Sequence, residues 1–144
     1  MTLNMIKLCV GIEDVEHLAK VQSIRLKNQI AKGEKPCLRH VTRNHPRRAN
    51  EILDGGSLYW VIKGFIRVRQ PVIGFEDDPR DDGKPYCAIL LDNQLIKTEL
   101  KKFRAFQGWR YFKDVDAPKD LSRDGAVSSL PDAMAEELKE LGLI

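Results

Sequence analysis

Residues 55–64, GGSLYWVIKG, constrain this chain more than any other stretch. Two glycines open the run and a third closes it, while Tyr59, Trp60, Val61 and Ile62 are all strong strand formers. Apolar side chains fall on both faces of the strand they predict. A second strand, residues 65–75, follows directly through Gly64, and Pro71 inside it points to a sheet edge or a bulge, because proline cannot donate to a ladder. The next residues, EDDPRDDGKP, read as an exposed acidic hairpin loop, and residues 86–91 return as a buried strand.

The elements around this nucleus follow from periodicity and caps. Residues 3–10 are short, aliphatic and closed by Gly11, which predicts a strand near the sheet centre. Asp14 is placed to cap a helix running to about Ala31, with Val15, Leu18, Ala19, Gln22, Leu26 and Ile30 roughly on one face and Gly33 at its end. CLRHVTR reads as a short strand, and Pro46 suits the first turn of a helix over residues 47–53. LIKTEL and FQGWRYF read as two more strands around a basic link of Lys101, Lys102 and Arg104. A mobile loop is expected over residues 113–128. A C-terminal helix over 130–141 is expected to carry Leu130, Met134, Leu138 and Leu141 on one stripe and Glu136, Glu137 and Glu140 on its acidic face.

That order of elements predicts a single α+β domain spanning residues 1–144. Its sheet is expected to have about six strands, mostly antiparallel with the option of a barrel-like closure, and flanking helices. The length of 144 residues and a hydrophobic fraction of 42% suit one core. No run approaches the roughly 20 apolar residues of a spanning helix, and no secretory leader is visible, so a cytoplasmic protein is expected. Cys9, Cys37 and Cys87 are odd in number and lack CxxC spacing, which argues for reduced thiols rather than a disulfide or zinc site. No metal or cofactor signature is present.

The NMIKLCVG opening, the HVTR segment, GGSLYWVIKG, and FQGWRYFK followed by DAP together resemble an uncharacterised alphaproteobacterial family, domain of unknown function fourteen-eighty-nine. The resemblance covers nearly the whole chain and brings no activity with it. A second resemblance, one of layout, is to the PUA-like group of small barrels that includes the ASCH and EVE domains. The helix, glycine turn and strand of RANEILDGGSLYWVIKG are similar to the start of such a barrel. That resemblance implies binding of RNA or modified bases, although the chain lacks the Gly-Lys-Thr pattern of ASCH sequences.

Charge is divided unevenly along the chain. Residues 1–72 hold 13 Lys/Arg against 6 Asp/Glu, and residues 73–144 hold 11 against 15, which suggests one face that attracts polyanions. Within the basic half, KPCLRHVTRNHPRR at residues 35–48 contains five Lys/Arg, two His and no acid. Lys35, Arg39, His40, Arg43, Arg47 and Arg48 are therefore candidate phosphate contacts, since the guanidinium fork engages phosphate bidentately. A solvated basic loop is the alternative.

Strand alternation groups Gln107, Trp109 and Tyr111 on one face, opposite Phe106, Arg110 and Phe112. Such a face can stack a base while Gln107 reads its edge, with Tyr59 as a further stacking candidate; core packing is the competing role. A dyad of Cys37 with His40 or His45 is the only nucleophile and base set present, and the odd spacing from Cys37 to His40 separates those two across a strand. Asp77, Asp78, Asp81 and Asp82 lack calcium-loop spacing and read as a solvated turn. The leading expectation is a non-enzymatic RNA-binding module. Its rivals are a small enzyme acting on a nucleoside, with a perturbed Lys63 or His40 in a deep pocket, and a protein-binding adaptor using the C-terminal helix.

Overall fold

The structure, a computed structural model, describes residues 2–78, 86–104 and 106–121. Among them the order is β1 (Leu3–Leu8), α1 (Val15–Ala31), β2 (Leu38–Thr42), α2 (Ala49–Leu53), β3 (Ser57–Ile62), β4 (Phe65–Asp77), β5 (Cys87–Leu91), β6 (Ile96–Lys102) and β7 (Trp109–Lys113). A 3-10 turn follows at Asp114–Asp116. The C-terminal helix expected at 130–141, and Asp81 and Asp82 of the acidic turn, lie outside the described residues.

The strands form one mixed sheet in the order β2-β5-β4-β3-β1-β7, with β6 paired to β4. Every pairing is antiparallel except β1 with β3, where Met5 faces Leu58 and Leu8 faces Val61 in parallel register. The expectation of a mostly antiparallel sheet thus misses one parallel pair, made because α1, β2 and α2 intervene between β1 and β3 and return the chain in the same direction. Seven strands replace the six expected. Lys101 and Lys102 belong to β6 rather than to a link.

β4 shapes the sheet. Its residues 65–71 lie along β3, while β6 meets its first half and β5 its second. Pro71 sits in this interior strand, not at an edge, and the ladder shifts register close by, between Val72 and Gly74. Further shifts fall at Trp60/Val61 and Ile66/Val68. Bulges of this kind bend a strand and increase its twist. The curled sheet brings the end of β2 to the edge strand β7, where the Trp109 indole N–H donates to the Asn44 carbonyl at 3.0 Å. No ladder joins β2 to β7, so the sheet is not closed into a barrel.

Two cores occupy the two faces. Leu3, Met5, Leu58, Trp60, Ile62, Val68 and Ile89 pack with Val15 and Leu18 of α1, whereas Ile6, Tyr59, Val61, Ile66 and Phe112 form a smaller cluster capped by Phe103 and Phe106. Alternation along β1, β3 and β7 produces this division. Asp14 caps α1 by accepting from the His17 N–H at 2.7 Å. The helix is bolted to the sheet by a buried amide pair in which Gln22 and Gln70 donate to one another at 3.0 Å. Trp60 Nε1 donates to Gln70 Oε1 at 3.1 Å, and Gln70 Nε2 also donates to the Asp92 carbonyl at 2.7 Å.

α2 is shorter than expected, starting at Ala49 with Arg48 as its cap residue. At its end Gly56 has no room for a side chain, because a Cβ would collide with the backbone carbonyls of Leu3 and Ile52. Of the loop expected over 113–128, residues 113–121 are described and residues 122–128 lie outside the described residues. Arg69 reaches Asp120 through two 2.8 Å hydrogen bonds, and Thr98 bridges to Asp120.

Candidate functional site

Where β2 and β7 approach without pairing, they leave an open cleft of about 740 Å³, lined by Lys7, Val41, Thr42, Arg43, Asn44, Tyr86 and residues 107–111. A smaller recess of about 290 Å³ beside α1 shares Lys7 and Val41 with the cleft. Cys9, Leu18, Gln22, Arg25, Arg39, His40 and Trp60 are among the residues of that recess. Neither lining includes an Asp or Glu. Lys7, Arg25 and Arg39 therefore border the recess and Lys7 and Arg43 the cleft, and the two hollows, which share Lys7 and Val41, make up one cationic groove.

The aromatic wall comes from β7. Trp109 pairs with Lys7 in the β1–β7 register, and its ring meets Tyr111 edge-on at 5.0 Å. Trp109 is half-buried against the larger core, and Tyr111 is 37% exposed. The expected alternation holds for these rings: Phe112 turns into the opposite core, and the Arg110 guanidinium lies 4.7 Å over Phe106. Gln107 reaches the cleft through Gly108, whose φ of +70° turns the chain into β7. Tyr111 is also anchored, its hydroxyl accepting from the Arg48 backbone N–H at 3.1 Å.

The recess is built around His40, on β2. Its ring stands edge-on to Trp60 at 5.0 Å, and its Nε2 is buried with no hydrogen-bond partner. Burial first, then the charges of Lys7 and Arg25, push the His40 imidazole down to about 4, so it is neutral at pH 7. Burial likewise lowers Lys7 below the usual ammonium range and pushes the Cys9 thiol up to about 12, although Lys7 and Arg25 oppose the latter shift. Cys9 is thus an unreactive thiol at neutral pH. Among the described residues, no carboxylate pairs with Lys7 or Arg25.

Of the residues singled out in the sequence, Arg43, Gln107, Trp109 and Tyr111 meet in the cleft and His40 and Arg39 in the recess. Arg39 also lies 3.4 Å from Glu76 and 3.8 Å from Asp78. The others are elsewhere or engaged. Lys35 and Arg47 are exposed outside both linings. Arg48 is clamped on Glu51 at 2.5 and 2.8 Å and sits 5.6 Å over the Tyr111 ring. Tyr59 is 5% exposed in the smaller core, where it packs on Phe112, so it presents no face for stacking. Lys63, in the β3–β4 turn with φ +50°, pairs with Glu13 at 2.5 Å and is not part of the recess lining.

The proposed dyad is absent. Cys37 precedes β2 and lines a different depression, with Gln29 and Lys32, while His45 pairs with Asp77 at 2.7 Å. Conversely, Lys7 and Arg25 escaped the sequence reading. Both carry a signal: Lys7 is a cation inside an aliphatic strand, and Arg25 falls three and seven residues after Gln22 and Leu18 on α1.

Fold and groove together define an α+β domain whose incompletely closed sheet leaves an acid-free cationic groove along its open seam. The chain belongs to the family described as Protein of unknown function (DUF1489), which matches residues 5–144. No curated protein and no solved structure matches the chain.

Proposed function

We propose that this domain binds single-stranded RNA along the cleft between β2 and β7. The observation that carries the reading is the placing of Arg43 and Lys7, with no carboxylate in the lining, beside the Trp109–Tyr111 ring pair. Cations neutralise phosphates and aromatic faces stack bases without demanding a particular sequence. Gln107, exposed beside the rings, offers both a donor and an acceptor to a base edge. The resemblance of layout to PUA-like domains read in the sequence points the same way, but the argument stands on the cleft.

An enzyme acting on a nucleoside is a second reading, favoured by the recess around His40. It is the weaker one, because an imidazole held near 4 is a poor general base at neutral pH. The adaptor reading rests on a C-terminal helix outside the described residues.

Titration of a labelled single-stranded RNA of about ten nucleotides tests the proposal. Affinity should fall as salt rises, with a log–log slope of about −0.7 for each phosphate neutralised. Arg43→Glu should remove much of the affinity, whereas Arg47→Glu should change little. No binding at low salt, or binding indifferent to Arg43→Glu, overturns it.

A further inference from the structure

The recess beside the cleft has a chemistry of its own. Lys7 enters from β1, Arg25 from α1 and His40 from β2, three elements that have no other reason to bring cations and an imidazole together. Lys7 is half-buried and has no acid to offset its desolvation among the described residues, a cost that native structures normally relieve by pairing. The buried Nε2 of His40 adds an unmet hydrogen bond, of a kind rare in folded proteins. Both deficits point inward, and an oxyanion would relieve both.

We propose that this recess is a phosphate-monoester site, in which Lys7, Arg25 and the Nε2–H of His40 hold the terminal phosphate of a ligand. Three donors from three separate elements suit a tetrahedral anion better than a planar carboxylate, which a single bidentate arginine satisfies. A neutral imidazole with its proton on Nε2 donates one hydrogen bond without requiring the anion to give up a proton. The apolar side of the recess, Ile12, Leu18, Val21 and Trp60, lowers the local dielectric and strengthens the charge-assisted bonds. Gln22 is already committed to Gln70, and Cys9 stays a neutral thiol, so neither competes for the anion.

The recess and the cleft share Lys7 and Val41, so one source of such a phosphate is the 5′ end of a strand lying on Trp109, and another is a free mononucleotide. The first source rests on the RNA reading; the second does not.

The test uses the full chain and four probes: inorganic phosphate, adenosine 5′-monophosphate, and one short single-stranded RNA with either a 5′-phosphate or a 5′-hydroxyl. Either the 5′-phosphorylated RNA should bind at least about tenfold tighter than its 5′-hydroxyl twin, or the mononucleotide should bind at least about tenfold tighter than adenosine. Arg25→Gln and Lys7→Gln should each erase that advantage, and Arg25→Gln should leave 5′-hydroxyl RNA unchanged, because Arg25 lines the recess and not the cleft. His40→Gln should retain part of it through its amide donor, and His40→Phe none. Thermal unfolding of each variant without ligand checks that the fold persists, and bound phosphate should raise the His40 imidazole pKa in an NMR titration.

Outcomes separate the two proposals. If 5′-hydroxyl RNA binds through Arg43 and no 5′-phosphate advantage exists in either pair, the recess proposal fails and the RNA reading stands. If the mononucleotide binds through Arg25 while neither RNA binds, the recess proposal stands and the RNA reading fails. Phosphate probes that bind equally well to wild type and to Arg25→Gln, or that leave His40 unmoved, overturn the recess proposal.

Discussion

Two polar regions of this domain can be compared side by side. At one, Asn4 Nδ2 donates to Asp114 at 2.6 Å while Asn4 Oδ1 accepts from the Ser57 N–H at 2.9 Å, and Arg69 reaches both Asp120 and Ser57 Oγ at 2.8 Å. Every one of these groups has its partner within the chain. At the other, Lys7 and Arg25 have no acid and His40 Nε2 no partner among the described residues. Charges that fold a protein are matched inside it, and charges left unmatched beside a cavity are available to something from outside. The difference marks the first region as structural and the second as the place to look for a ligand.

The largest expected effect lies in the matched region. Asn4→Ala strands the Ser57 N–H and the Asp114 carboxylate beside a buried site, and should lower unfolding free energy by about 2 to 4 kcal/mol in a denaturant titration. RNA affinity, measured where the variant is still folded, should be unchanged. An unperturbed stability, or a selective loss of binding, would reverse the roles assigned to the two regions.

Next in size is a pH effect in the unmatched region. The folded-state pKa of His40, about 4, lies below its ordinary value of 6.5, so the unfolded chain takes up a proton first as pH falls. Stability from this source is therefore intact above about pH 6.5 and declines between there and pH 4, by roughly 3 kcal/mol. His40→Gln should flatten that part of the profile. A saturating phosphate probe should flatten it as well, by favouring the protonated imidazole in the folded state.

Trp109→Ala sharpens the comparison at the boundary between scaffold and ligand surface. The ring is half-buried and its N–H is bonded to Asn44, so the substitution should cost about 1 to 2 kcal/mol of folding stability, less than the roughly 3 to 5 of a fully buried ring. Binding should weaken by about 1 to 3 kcal/mol. Tyr111→Ala should act in the same direction on both measures. A core-sized stability loss without any binding loss would reduce the cleft to packing.

The smallest effect is expected at the pair of Arg69 with Asp120. Arg69 lowers the Asp120 carboxyl below its ordinary range, so the pair stabilises above the unfolded carboxylate value, and its contribution is lost as pH falls through the folded one. Because Asp120 is nearly half exposed, Asp120→Asn should cost no more than about 1 kcal/mol, and less at high salt.

Much of the scaffold was legible in the residues themselves. The Asp14 cap, the glycines around β3 and the alternation that places Trp109 and Tyr111 together all follow from local rules, and the structure repeats them. Reading the site fared differently. Local composition grouped Lys35, Arg39, Arg43, Arg47 and Arg48 because they are adjacent in the chain, yet only Arg39 and Arg43 line the groove. Tyr59 looked interchangeable with Tyr111, and only its position on the other face of the sheet distinguishes them.

What the sequence by itself determined is each element's type and which side chains share a face, because helix and strand periods and caps act over a few residues. Only the tertiary structure decided that β1 runs parallel to β3, that β4 bends near Pro71, and that β2 and β7 approach without pairing. Those outcomes depend on register and curvature summed over the whole sheet. That summation, not any motif, places Lys7, Arg25 and His40, up to 33 residues apart in the chain, around one recess.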